Sequence, residues 1–543
     1  MKRRTRKKPG QPKVVIQDWM ALRPYDAHSD YDLHYLRIAN KIYERIFNSG
    51  YPGSYIPEAP DPAMLACIIA SYYEDYVCEI GIWKAFTSRN KELYGYYLPF
   101  YESEQYDPGY INPEDISYLL WHFWGKWNDT FFAPDWELFT TLGRKIYDYL
   151  EPMLDNALGT DFYERFFTVK GDEDFFDVKE RLKWFAEGSY LFATDLYFDR
   201  KEKIEEALGD ETMNTWSEDP GKYLYMVLEE YIYRRRCSFS ALTAPEFFAR
   251  VCRCSEPVRK DIAGLKARHW GTFECLEEEE QHFLFSNIQT GREYKVRKDS
   301  FQQFDSLDVK GKLGMFALVP WRGEWWMTGA AAFYGRSKKG IRELRKQMLT
   351  SPFLRTEEQL QKAQEAIAEQ YQVFMEQFGG PLATFTTRRA ANDGIRQFYK
   401  AHREKILAEK PEYQENAPQP LEGNMIGDIP EAGGIGVFFN REEGIIIVGG
   451  ILDVIQLMEQ KEPLNREAAE GLFEALTNYD PALVKYLLDN YPTHNVSIPI
   501  EGCETNLMKY IWFVNRYQRP DDFGEVFPNI TMMDRELWEE KRS

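Results

Sequence analysis

Apolar residues recur every three or four positions through the first half of this chain, the spacing that lays one stripe along a helix. In "SDYDLHYLRIANKIYERIF", Tyr35, Ile38, Ile42 and Ile46 share a face, and Ser29 or Asp30 caps the start. Asp61-Pro62 opens a second helix, with Met64, Cys67, Ile68 and Tyr72 on its apolar side. "NPEDISYLLWHFWGKW" at 112–127 opens the same way: Asn112 caps, Pro113 comes first, and two acids sit in the first turn. The period continues through "WELFTTLGRKIYDYLEPML", "DVKERLKWFAEGSYLFATDLYF" and "PGKYLYMVLEEYIYRRR". Residues 14–265 therefore read as one large all-α domain. Ahead of its helices, "VVIQDWMALRPY" reads as extended chain turning at Arg23-Pro24, since a residue before proline is pushed out of the helical region.

From Trp270 the period changes. "WGTFECLEEEEQHFLFSNIQTGREYKVR" and "GKLGMFALVPWRGEWWMTGAAAFYG" give five short strands, with turns at Thr290-Gly291 and Arg322-Gly323. Five strands this short predict a small closed barrel of the SH3-like or OB-like kind. Helices follow over 337–349, 356–378 and 386–408. The stretch 409–434 holds four prolines and reads as a linker. A hairpin turning at Asn440–Gly444 comes next, then helices near 450–460 and 465–490. The fold class expected is multidomain and mainly α: a large all-α N-terminal domain, a small SH3/OB-like barrel with helices (266–408), the linker, and a C-terminal α+β module (435–543).

Charge alters this picture. The 543 residues are formally −20, yet the first thirteen carry seven cations and no acid, which leaves −27 for the remainder. Proline and glycine keep residues 1–13 from helix, so they read as a disordered basic arm of roughly 40 Å reach. The segment 281–350 also reverses sign, with thirteen Lys/Arg against six Asp/Glu. Hydrophobic residues at 44% allow a sizeable core. The longest apolar run, "GIIIVGGI", is far short of a bilayer span, and no secretory pattern follows the basic start. Seven scattered cysteines suit a reducing compartment. The expectation is a cytoplasmic protein with no membrane contact.

Candidate chemistry is sparse. The Gly-x-Ser-x-Gly and Walker phosphate-loop patterns are missing. Glu74, Asp75 and Glu79 stand on a strongly apolar helix, where paired carboxylates sharing a cleft with His122 can serve acid–base hydrolysis. Asp26, His28, Asp30, Asp32 and His34 alternate as metal ligands do, although capping accounts for Asp30 and Asp32. Cys252 and Cys254 resemble the first half of the SEC-C zinc motif, but the second pair of ligands does not follow, so neither metal nor cofactor is expected. The basic barrel is the favoured candidate. Arg292, Lys295, Arg297, Lys298, Arg322, Lys338, Lys339 and Arg342 supply cations, and Trp321 and Trp325 supply stacking rings, as in barrels that bind single strands. Trp325 and Trp326 are adjacent, so one of them should face the core.

Several stretches together resemble an uncharacterised family, a domain of unknown function of Bacteroides-type bacteria. They are "IQDWMALRPYDAHSDYDLHYLRIANKIY", "YYEDYVCEIGIWKAFTSRNKELYGYYLPFY", "INPEDISYLLWHFW", "LFSNIQTGREYKVRKDSF", "LVPWRGEWWMTG" and "GVFFNREEGIII", covering most of 14–520. The resemblance implies a bacterial, cytoplasmic protein and assigns no site residue. The expected function is a non-enzymatic interaction protein: barrel and arm contact RNA or DNA, and the acidic helical domain engages a protein. The alternatives are a carboxylate hydrolase in the helical domain and a structural subunit of a larger assembly.

Overall fold

The structure is a computed structural model that describes residues 14–49, 62–94, 96–98, 106–127, 136–198, 228–301, 309–342, 357–409, 411, 425–491 and 514–517. Among these it is mainly α with a β part. It divides into two compact units. One falls within Met1–His269 and includes Ala317–Ala330; the other is drawn chiefly from Trp270–Phe316 and Ala331–Pro499. The basic arm, the cap at Asp61 and most of the proline-rich stretch at 409–434 lie outside the described residues.

The helical unit starts with a correction. Ile16–Met20 (α1) is a short helix, not extended chain. Asp18 accepts from the Val15 amide at 2.9 Å, and buried Trp19 donates through its indole to Asp32 at 3.1 Å. A five-residue helix is marginal alone, so this tertiary anchor is what holds it. Asp30–Asn48 (α2) follows the sequence reading closely: Asp32 reaches back to the Ser29 amide at 2.8 Å, and Tyr35, Ile38, Ile42 and Ile46 are all buried. Pro62–Val77 (α3) is buried on nearly every side, because α1, α2 and two later helices, Ile82–Tyr94 (α4) and Pro113–Trp127 (α5), all pack on it. The expected stripe is therefore wider than its period suggested, and Met64 is only half-buried.

Glu137–Leu150 (α6) lies against α5, and Phe162–Phe166 (α7) and Phe175–Gly188 (α8) come next. Asp174 caps α8 through the Phe176 amide at 2.8 Å. Helical segments at 190–198 (α9) and 228–233 (α10) precede Ala244–Val251 (α11) and Glu256–Gly264 (α12). Thr243 and Glu246 form a reciprocal cap on α11.

The strands are His269–Glu278 (β1), His282–Asn287 (β2), Glu293–Arg297 (β3), Leu313–Trp321 (β4) and Glu324–Tyr334 (β5), in the order β1-β2-β3-β5-β4, closed on itself. Alternation sets the inner face: Phe283 and Phe285 of β2 oppose Val296 and Tyr294 of β3, and all four are buried. Phe273, Phe285, Phe301 and Phe316 complete an aromatic interior, with Phe273 stacked on Phe316 at 4.7 Å. Arg322 and Gly323 both take positive φ, 50° and 79°, the geometry of a two-residue hairpin turn.

Beyond β5 a helical turn at 338–342 (α13) precedes Glu357–Phe378 (α14) and Arg388–Glu409 (α15). Between α14 and α15 lies Leu382–Phe385 (β6), a strand not read from the sequence. It pairs antiparallel with Ile435–Asn440 (β7), which pairs in turn with Gly444–Gly449 (β8). Phe374, Ile395, Phe398, Val437 and Phe439 form the core between sheet and helices. Ile451–Glu459 (α16) follows. The single helix expected at 465–490 is two, Arg466–Asn478 (α17) and Pro481–Asn490 (α18), because Asp480 caps a new start at Pro481. Among the described residues no helix is long and apolar enough to cross a membrane.

Candidate functional site

Two of the three acids singled out, Glu74 and Asp75 on α3, are buried, and each already has partners. Glu74, 1% exposed, forms an ion pair with Arg23 and accepts from Tyr31 at 2.6 Å and Tyr163 at 3.1 Å. Arg23 also donates to Ser71, and its guanidinium lies 3.8 Å over the Trp19 ring. Burial acts to lower the basicity of Arg23, but Glu74 and Tyr163 outweigh it, and the group is held more strongly protonated than usual.

Asp75 has a different task. It accepts from the Gly81, Ile82 and Trp83 amides at 2.7, 3.1 and 2.7 Å, and from the Tyr190 hydroxyl at 2.6 Å. It thus caps the start of α4 from the end of α3. Burial raises its pKa, and these four donors counter the rise. Glu79 is exposed and sits at φ 49°, in the left-handed turn that ends α3.

A third carboxylate was read only as a first-turn acid. Asp115, fully buried, accepts from Tyr72 at 2.5 Å, Tyr106 at 2.8 Å and Asn112 at 3.3 Å. Burial pushes it up to about 7, although the hydrogen bonds act the other way. His122 stands beside another acid. Its Nε2 lies 3.6 Å from Asp195, which also meets Lys126 at 3.0 Å and accepts from the Ser238 amide at 2.7 Å. Burial and Lys126 hold His122 neutral. The space beside Arg23, Ser71, Glu74, Tyr163 and Tyr190 is a cavity of about 10 Å³, room for one water at most. Among the described residues these contacts hold helices together, and this cavity has no room for a substrate.

Three of the eight candidate cations are matched to acids. Lys295 meets Glu279 at 2.6 Å, Arg297 meets Asp299 at 2.7 Å, and Lys298 meets Glu278 at 2.6 Å. Arg292 is exposed and lies 5.3 Å over the Tyr294 ring. Arg322 is exposed, 4.9 Å over the Trp321 ring, and donates to the Lys170 carbonyl at 3.5 Å. Lys338, Lys339 and Arg342 are exposed on α13. Trp321 is 2% exposed and packs on Phe175 of α8 at 6.0 Å, so its face is closed to a base. Adjacent Trp326 is also buried against Phe175, at 4.9 Å, while Trp325 is half-buried, 5.3 Å from His269. The two indoles do point to opposite sides of β5.

The suspected metal ligands are dispersed in role. Asp26, His28 and Asp30 are exposed, Asp32 is buried as a cap, and His34 packs edge-on against Tyr35. Cys252 and Cys254 approach each other, but among the described residues no group of three or more His, Cys, Asp or Glu side chains is placed to hold a metal ion. The sequence reading missed Arg23, Asp115, Asp195 and the tyrosines that donate to the buried acids. Their signal was the density of tyrosine around "YYEDY" and Asn112, since a buried carboxylate requires donors.

Comparison with known proteins adds one finding. Residues 13–300, just over half of the chain, match the family described as "Protein of unknown function (DUF3843)". The chain belongs to that family. The matched residues take in the whole α1–α12 region and the first three strands, so the buried acid network lies inside the family region, as does most of the paired barrel charge. No curated protein and no solved structure matches the chain.

Proposed function

We propose that the protein acts by binding and not by catalysis, and that its partner is a nucleic acid met by the basic arm and the barrel-side cations. One observation carries the choice against a hydrolase: Glu74, Asp75 and Asp115 are each saturated by donors of the fold itself. The choice of partner rests on charge. An acidic chain keeps two basic segments, 1–13 and 281–350. Within the second, Arg322, Lys338, Lys339 and Arg342 are exposed and have no ion pair among the described residues, unlike Lys295, Arg297 and Lys298. In this reading the strands of 266–408 form an SH3- or OB-like platform, 14–265 engages a protein, and the setting is a bacterial cytoplasm.

The test is retention of single-stranded RNA and of duplex DNA by the full chain as salt is raised. Replacing Arg322, Lys338, Lys339 and Arg342 by alanine should weaken retention about tenfold or more. It should also flatten the salt dependence, by about 0.9 in log–log slope for each lost phosphate contact on duplex DNA. An absence of retention at about 20 mM salt overturns the reading. Protein partners recovered from native cells without nucleic acid would point instead to a structural subunit.

A further inference from the structure

A pair of thiols outside these networks is placed for reaction. The chain between α11 and α12 runs Cys252-Arg253-Cys254-Ser255. Arg253 anchors it: its amide donates to the Phe167 carbonyl at 2.8 Å, and its own carbonyl accepts from the Val169 amide at 3.1 Å. Extended backbone puts residues two apart on one side, and here the two Sγ atoms lie 3.1 Å apart, both as free cysteines. That is closer than two non-bonded sulfurs normally rest and about 1 Å beyond a disulfide bond. Cys252 is buried, whereas Cys254 is half-buried and is the sulfur a solute can reach. Burial and the neighbouring Cys254 keep the Cys252 thiol protonated. Arg259 braces the segment by donating to the Cys252 carbonyl at 3.4 Å and to the Ala249 carbonyl.

We propose that Cys252 and Cys254 form a reversible disulfide site whose oxidant is a small-molecule disulfide of the glutathione type. The Cys254 thiolate attacks one sulfur of that disulfide and releases the first small thiolate. The Cys252 thiol then gives up its proton, attacks the Cys254 sulfur and expels the second thiolate. Two protein thiols are oxidised, one small disulfide is reduced to two thiols, and the two protons go to the released thiolates. Proximity makes the second step intramolecular, which favours ring closure over a lasting mixed disulfide. Closure draws Cys252 and Cys254 together around an Arg253 that stays bonded to Phe167 and Val169, so it acts on the junction of α11 and α12.

The full chain is equilibrated in glutathione buffers of rising oxidised fraction, quenched with acid, alkylated and digested with trypsin. Cleavage after Arg250, Arg253 and Arg259 leaves Cys252 and Cys254 on separate peptides. The expected result is that these two peptides stay joined, two hydrogens lighter than their sum, in a fraction that rises with oxidant and is reversed by dithiothreitol. Separate alkylated peptides at every ratio overturn the proposal. A glutathione adduct on Cys254 as the sole product, or Cys252 joined to another cysteine, overturns it equally. Cys254→Ser should abolish closure; if that variant fails to fold, the wild-type titration decides alone.

Discussion

Glu74 and Glu279 each lie against a cation, one inside the helical unit and one in the exposed turn between β1 and β2. The Arg23–Glu74 side chains are 2% and 1% exposed; those of Lys295 and Glu279 are 55% and 40% exposed. Water replaces a lost partner on the strand, but nothing replaces it inside. The buried pair is therefore held by a shell of tyrosines and serine, while the strand pairs are partly open to solvent, Arg297 reaching Asp299 through two hydrogen bonds. The difference separates charges that build the fold from charges that only neutralise a surface. A binding role for the barrel has to come from cations that are not already neutralised.

That comparison breaks first at Glu74. Glu74→Gln leaves Arg23 charged and buried, and should cost about 3–5 kcal/mol in a denaturant titration. A loss below about 1 kcal/mol would mean that the network is not what holds α1, α3 and α7 together.

The next effect is one of pH, and it runs in opposite directions in the two units. Asp115, pushed up to about 7, keeps a proton that the unfolded chain releases near 4. Its contribution is full below about pH 4 and is lost as pH rises to 7. His402 of α15 is buried and, by that burial, lowered to about 4. The unfolded chain takes up that proton near 6.5, so this contribution is full above about pH 6.5 and is lost as pH falls to 4. Asp115→Asn should remove the upward loss and His402→Phe the downward one. Each should amount to about 3–4 kcal/mol, read from protection factors for amide exchange in α5 and α15. Identical pH profiles for the two helices would contradict the assignment.

The smallest effect belongs to the strand pairs. Arg297→Ala, which frees Asp299, should change stability by no more than about 0.5–1 kcal/mol, less at high salt. A larger loss would place this pair with the buried network.

Local signals made much of the fold legible. Ser29 with Asp32, and Asn112 with Pro113, mark helix starts within four residues of themselves, and α2 and α5 begin where those residues stand. The break at Asp480-Pro481 carries the same kind of signal as Asp61-Pro62 but is hidden inside a long apolar period. β6 carried no such signal: four residues gain their identity only from pairing with β7, about fifty positions later. α1 likewise depends on Asp32 meeting the Trp19 indole from the next helix.

The candidate site divides the same way. Glu74 and Asp75 stood out as acids in an apolar run, but their partners lie far off in the chain: Arg23 is 51 positions from Glu74, Tyr163 is 89 from it, and Tyr190 is 115 from Asp75. Composition and charge marked Arg322, Lys338, Lys339 and Arg342 together with Lys295 and Lys298. Only the strand register, which brings Glu278 and Glu279 beside β3, separates the exposed cations from the compensated ones.

By itself the sequence determined where helices start, which faces are apolar, where the period changes from helix to strand, and how charge is spread along the chain. Those properties depend on neighbours within a turn or two. Tertiary structure alone decided that Glu74 and Asp75 of α3 are buried among donors of the fold, that Trp321 is core, and that two cysteines meet. Burial and partner choice are set by residues brought together from distant parts of the chain, and the cost of an unpaired charge depends on the surroundings that this assembly creates.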